Sequence, residues 1–145
     1  MDNAARKGHL DVLQILHKDN ETCSVAAMDN SALNGHLEIV KWLHEKKKPC
    51  TRYAMDNAAM NGRLEIVKFL HKNRREGCTK NAMHWAAVNG HLEIVKFLHI
   101  NRNEGCHSWT VDYTAMKGHL EMVQWLLENN KGSPSKYALQ HFLKC

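Results

Sequence analysis

No run of the sequence approaches the roughly 18 consecutive apolar residues that a membrane-spanning helix needs. The start, Met1-Asp2-Asn3-Ala4-Ala5-Arg6-Lys7, has no charged beginning followed by an apolar run, so it reads as neither a signal nor a transit peptide. The expected location is therefore intracellular, cytoplasmic by default, with the nucleus as the alternative. Cysteines number five, and an odd count excludes a fully paired disulfide framework within one chain. No Cys-x-x-Cys pair exists, which removes the most common zinc spacing. There is no glycine-rich phosphate loop, nucleophile elbow or His-Glu-x-x-His arrangement. No enzyme, cofactor or metal site is expected.

What is present is repetition. Gly8, Gly35, Gly62, Gly90 and Gly118 lie 27, 27, 28 and 28 residues apart, each opening a string such as Gly90-His91-Leu92-Glu93-Ile94-Val95-Lys96-Phe97-Leu98. Cys23, Cys50, Cys78 and Cys106 repeat at 27, 28 and 28, as one repeat position expected to be reduced and packed. A fixed period in this range marks a stacked array. The expected architecture is an all-α solenoid of helix–turn–helix units at about 1–22, 23–49, 50–77, 78–105 and 106–132, with a half unit at 133–145, in one domain spanning 1–145.

Each unit divides into two short helices. The first (helix A) is read from stretches such as Tyr53-Ala54-Met55-Asp56-Asn57-Ala58-Ala59-Met60, rich in strong helix formers, with small alanines that allow a close neighbour. The second (helix B), from about Leu64 to Lys72, has apolar positions at helical spacing. On its polar face, Glu93 and Lys96 are placed to pair. Glycine separates the helices because the tight turn calls for positive φ. Thr79 and Ser108 are expected N-caps. Pro49 replaces the loop glycine of the second unit, so that turn must differ. The first unit opens inside its first helix, which reads as an array that once extended further or as a truncated frame.

The segment Ala82-Met83-His84-Trp85-Ala86-Ala87-Val88-Asn89-Gly90-His91-Leu92-Glu93-Ile94-Val95 resembles the core of an ankyrin repeat, with His84 at the histidine of the family's Thr-Pro-Leu-His tetrapeptide. Asp56 and Asp112 stand at that position elsewhere, and the Thr-Pro opening is missing. The period is also shorter than the family's roughly 33 residues. The shortened units are similar to divergent arrays of giant DNA viruses, oomycetes and amoebae. The resemblance implies short loops in place of β-hairpins and a protein-binding role.

In such stacks the variable positions of helix A meet the partner. One variable column runs Asn3, Asn30, Asn57, Trp85, Tyr113, and the next Arg6, Leu33, Met60, Val88, Met116. The candidate binding residues on the concave face are Asn30, Leu33, Asn57, Met60, Trp85, Val88, Tyr113 and Met116, with Trp85 and Tyr113 as an aromatic patch. A further column reads Tyr53, Asn81, Trp109, Tyr137. Trp42, Phe69, Phe97 and Trp125 are expected framework.

Histidine occurs eleven times, mostly in two columns: His9, His36, His91, His119 and His17, His44, His71, His99. Equivalent atoms in stacked helices repeat at roughly 10 Å, too far for one ion at about 2 Å. The columns are therefore read as loop-bracing hydrogen bonds and as partners of helix C-termini. A basic strip is read from Lys46, Lys47, Lys48, Lys72, Arg74, Arg75 and Arg102, suited to an acidic protein or a nucleic-acid backbone. The leading expectation is a monomeric, non-catalytic module with a protein partner of unknown identity, no membrane association and no sequence-specific nucleic-acid binding. A structural or degenerate fragment without a partner, and weak polyanion binding through the basic loops, remain the alternatives.

Overall fold

The computed structural model describes residues 1–19 and 21–136. The expected half unit over 137–145 lies outside them. Among the described residues ten helices follow in order: α1 (Asp2–Lys7), α2 (Leu10–Lys18), α3 (Val25–Asn34), α4 (Leu37–Glu45), α5 (Tyr53–Met60), α6 (Leu64–Asn73), α7 (Lys80–Val88), α8 (Leu92–Asn101), α9 (Thr110–Met116) and α10 (Leu120–Glu128). They form five antiparallel pairs, and among the described residues there is no β-strand. The protein is an all-α solenoid of stacked helix pairs.

The first helices pack in the series α1, α3, α5, α7, α9, and the second helices touch one another much less. Alanine explains the difference. Ala5, Ala32, Ala58 and Ala86 are fully buried in the helix A row, where a larger side chain would hold the helices apart. The second helices contribute Leu13, Leu43, Leu70, Leu98 and Leu126, all essentially inaccessible. The core is therefore a continuous band along the stack. Each short helix is stabilised by its neighbours.

The turn within each pair follows from glycine. Gly35 adopts φ 85°, and the His36 N–H then donates to the Ser31 carbonyl at 2.9 Å, closing helix α3 with a left-handed cap. Glycine has a second purpose at Gly62, where an added methyl would lie 2.8 Å from Cε1 of His91 in the next pair. The histidine ring occupies the space that the missing side chain leaves.

The longer connections show the effect of Pro49. Gly77 and Gly105 precede Cys78 and Cys106 with φ of 73° and 69°. Pro49 cannot take that conformation. In its loop the left-handed residue is Lys47, at φ 53°, and Lys48 N–H donates to the Leu43 carbonyl at 2.9 Å. Thr79 caps α7, accepting from Asn81 N–H at 3.1 Å. Ser108 does not cap α9, which starts after Trp109 without a side-chain cap. The residue that aligns with Thr79 is His107, directly after its cysteine.

Candidate functional site

Successive units are joined by a repeated carboxylate grip. Asp29 of α3 accepts from Thr51 N–H at 3.0 Å and from its hydroxyl at 2.6 Å. Asp56 of α5 accepts from Thr79 N–H at 2.8 Å and its hydroxyl at 2.6 Å. Asp2 holds Ser24 in the same way, and Asp112 accepts from Ser135 N–H. Asp2, Asp29 and Asp56 each use both oxygens to fix the start of the next helix. Burial nevertheless pushes the Asp56 carboxyl above the usual range, against the lowering effect of its two bonds from Thr79.

Between the fourth and fifth units both partners differ. His84 stands where the aspartate would, and His107 where the serine or threonine would. His84 is buried and shares a hydrogen bond at 2.9 Å between its Nδ1 and Thr110 Oγ1. His107 Nε2 donates to Asn81 Oδ1 at 3.0 Å, and its ring stacks on Trp109 with centroids 4.6 Å apart. Around His84 lie Trp85 at 4.9 Å, His107 at 5.3 Å, Tyr113 at 5.8 Å and Trp109 at 6.5 Å, all edge-on. Burial, then the adjacent His107, holds the His84 imidazole below its ordinary value, so it is the neutral ring that packs here.

This junction carries exposed aromatic surface. Trp85, Tyr113 and Trp109 are 39%, 48% and 50% exposed. Of the other expected binding positions, Met116 is exposed, while Asn30, Leu33, Asn57 and Met60 are half-buried. Val88 is only 2% exposed, so it belongs to the packing and offers a partner no surface. Its column varies in sequence, but an aliphatic side chain there reads the same inside or outside. Trp109 and His107 complete the cluster and were not among the expected site residues. The signal was the paired change of His84 and His107 in two columns that are otherwise Asp and Ser/Thr.

The basic strip is smaller than its sequence suggests. Lys46, Lys47, Lys72 and Arg75 are exposed, and Lys48 is half-buried. Arg74 is bound by Glu76 at 2.5 Å with its side chain 14% exposed. Arg102 pairs likewise with Glu104. Both arginines are half-buried parts of Arg-x-Glu-Gly-Cys loops, and their charge is neutralised within the loop.

The histidine columns are framework. His36 Nε2 meets the Arg6 carbonyl at 3.1 Å, and His91 Nε2 meets the Met60 carbonyl at 3.2 Å. Asn34 and Asn89 donate to the same two carbonyls at 3.2 and 2.9 Å, so the end of one helix A is satisfied from the next unit. In the second column His17, His44, His71 and His99 meet Trp42, Phe69, Phe97 and Trp125 edge-on at 5.4, 5.5, 5.5 and 5.3 Å. Each pair bridges two units. All four histidines stand in the last turn of their helices, as expected, and they pack ring on ring besides, with Nδ1 of His44, His71 and His99 buried without a hydrogen bond.

Cys50 and Cys78 are buried free thiols, each pushed up to about 11 by burial. Among the described residues no group of three or more His, Cys, Asp or Glu is placed to hold a metal ion. No described helix is long and apolar enough to cross a membrane.

Stacked helix pairs with glycine-closed turns define a repeat scaffold. The family description "Ankyrin repeats (3 copies)" matches residues 55–138. "Ankyrin repeats (many copies)" matches 1–44 and 23–71. The chain belongs to the ankyrin-repeat family. Comparison with curated proteins finds no match.

Proposed function

We propose that the chain is a non-catalytic protein-interaction module whose partner docks on the helix A side around Trp85 and Tyr113. The observation that carries this reading is the His84 junction. There two exposed aromatic rings rest on a buried histidine, whereas the corresponding residues Asn30 and Asn57 in earlier units are amides. Aromatic side chains held rigidly at a surface are effective anchors, because little conformational freedom is lost on binding. Met116, 67% exposed, extends the apolar surface. The unit length of 27–28 residues suits the divergent, shortened arrays that the sequence resembles.

The test is capture from a lysate with wild type and with the Trp85→Ala/Tyr113→Ala variant. A specific partner lost from the variant, with circular dichroism unchanged, supports the reading. A partner retained by the variant refutes it. Absence of any partner favours a fragment without a partner of its own. The competing polyanion reading is weakened because Arg74 and Arg102 are already ion-paired.

A further inference from the structure

Two cavities adjoin at the edge of the stack where the first helices begin. One, of about 530 Å³, is bounded by Arg52, Tyr53, Lys80 and His107 among others. The other, of about 590 Å³, includes Lys80, His107, Trp109 and Lys131. Lys80 and His107 are common to both, so the two lie side by side across three units. Among the described residues no carboxylate lines either part.

That absence sets these cations apart. Lys41, Lys68 and Lys96 each pair with a glutamate three residues earlier. Arg74 and Arg102 are neutralised in their loops. Among the described residues Lys80 and Lys131 have no ion pair, and Arg52 makes one hydrogen bond, from Nε to the Glu76 carbonyl at 3.2 Å. Like charges lining a concave surface reinforce one another and attract an anion. Aromatic surface flanks them, with Tyr53 62% exposed at one end and Trp109 50% exposed towards the other. Trp109 is held by its stack on His107, itself fixed by Asn81.

We propose that this cleft receives an acidic peptide segment bearing an apolar side chain. Its carboxylates lie against Arg52, Lys80 and Lys131, and its apolar side chain covers Trp109. Buried His84 links the cleft to the aromatic patch, because its ring packs edge-on against both Trp109 and Tyr113. The inference rests on the reading that a polypeptide docks on this side, and adds the chemistry of that polypeptide.

The experiment uses the full chain and fluorescence anisotropy with three labelled probes: a Glu/Asp-rich peptide with one central Phe, the same peptide with Gln and Asn in place of the acids, and an oligodeoxythymidine. Binding is measured for wild type, Lys80→Glu, Trp109→Ala, and a loop control, Lys46→Glu/Lys47→Glu. The proposal expects the acidic peptide to bind and the amide peptide to fail. Lys80→Glu and Trp109→Ala should each weaken the acidic peptide about ten-fold or more, a loss of about 1.4 kcal/mol. The loop control should change affinity by less than about two-fold. Circular dichroism checks that each variant folds, and Trp109→Phe, which keeps the stack, should restore most of the binding.

Equal losses in the loop control would show diffuse charge attraction and overturn the proposal. So would no binding of the acidic peptide, or tighter binding of the oligonucleotide through the same residues. If Trp85→Ala/Tyr113→Ala abolishes capture of a cellular partner while Lys80→Glu leaves that capture intact, the docking reading stands and the acidic-segment inference falls.

Discussion

His84 Nδ1 lies 2.9 Å from Thr110 Oγ1 at the junction where the aspartate of neighbouring units is replaced. A carboxylate that grips backbone and hydroxyl is exchanged for a buried neutral ring, and the aromatic cluster forms around it.

That exchange makes stability depend on pH. Burial holds His84 and His99 below their ordinary values, so the unfolded chain binds protons more readily than the folded one. Stability is then fully present above about pH 6.5, the unfolded value, and is lost as pH falls through the folded values. The neighbours of these rings, His107 for His84 and Lys131 for His99, act in the same direction as burial. Thermal melts should give a lower midpoint at pH 5 than at pH 7.5. The His84→Asp/His107→Thr variant, which restores the grip of the other junctions, should reduce that difference; an identical difference in both proteins would refute this assignment.

The grip itself can be measured at Asp56 and Thr79. Asp56→Ala removes both acceptors and leaves the half-buried Thr79 N–H unpaired, at a cost of about 1–3 kcal/mol. Urea unfolding of the two single variants and the Asp56→Ala/Thr79→Ala double variant should give a coupling energy of about 1 kcal/mol or more. Additive effects would show that the hydrogen bond from the Thr79 hydroxyl to the Asp56 carboxylate contributes no coupling.

Gly62 and Gly118 separate two reasons for glycine. Both have positive φ, 73° and 78°, but a methyl at Gly62 meets His91 whereas one at Gly118 meets nothing within 4 Å among the described residues. Alanine at either position carries the left-handed strain of about 1–2 kcal/mol. Gly62→Ala should be the more destabilising in denaturant unfolding, and His91→Ala should relieve only its excess. Equal losses would mean that the histidine ring moves aside freely.

Thiol labelling tests the cysteine column. Cys50 and Cys78 are buried with values raised to about 11, so little reactive thiolate exists near pH 8. Mass spectrometry after iodoacetamide treatment of the native protein should show them unmodified while Cys23 and Cys106, which are less buried, label first. Rapid labelling of Cys50 or Cys78 would show that the stack opens.

The helices were legible in the sequence because their signals are local. Gly35 with its left-handed φ and the Leu-Glu-Ile-Val spacing of helix B lie within a few residues of what they determine. The grip was not legible in that way, because Asp56 and Thr79 are 23 residues apart and each alone reads as an ordinary surface or capping residue. The same applies to the site. Trp85 and Tyr113 stood out as aromatics in a polar column, but Val88 and Met116 share a column while one is 2% and the other 67% exposed. Ion pairing within the loops hid the fate of Arg74 and Arg102, whose glutamates follow two residues later.

The most direct test of the account is photo-crosslinking. A benzoylphenylalanine placed at Tyr113 and, separately, at Lys68 on the polar side of α6 would be irradiated in a lysate of the cells that make the protein. The account predicts a discrete adduct from position 113, lost when Trp85→Ala is added, and none from position 68. An adduct from position 68 alone would place the partner on the opposite face and contradict it.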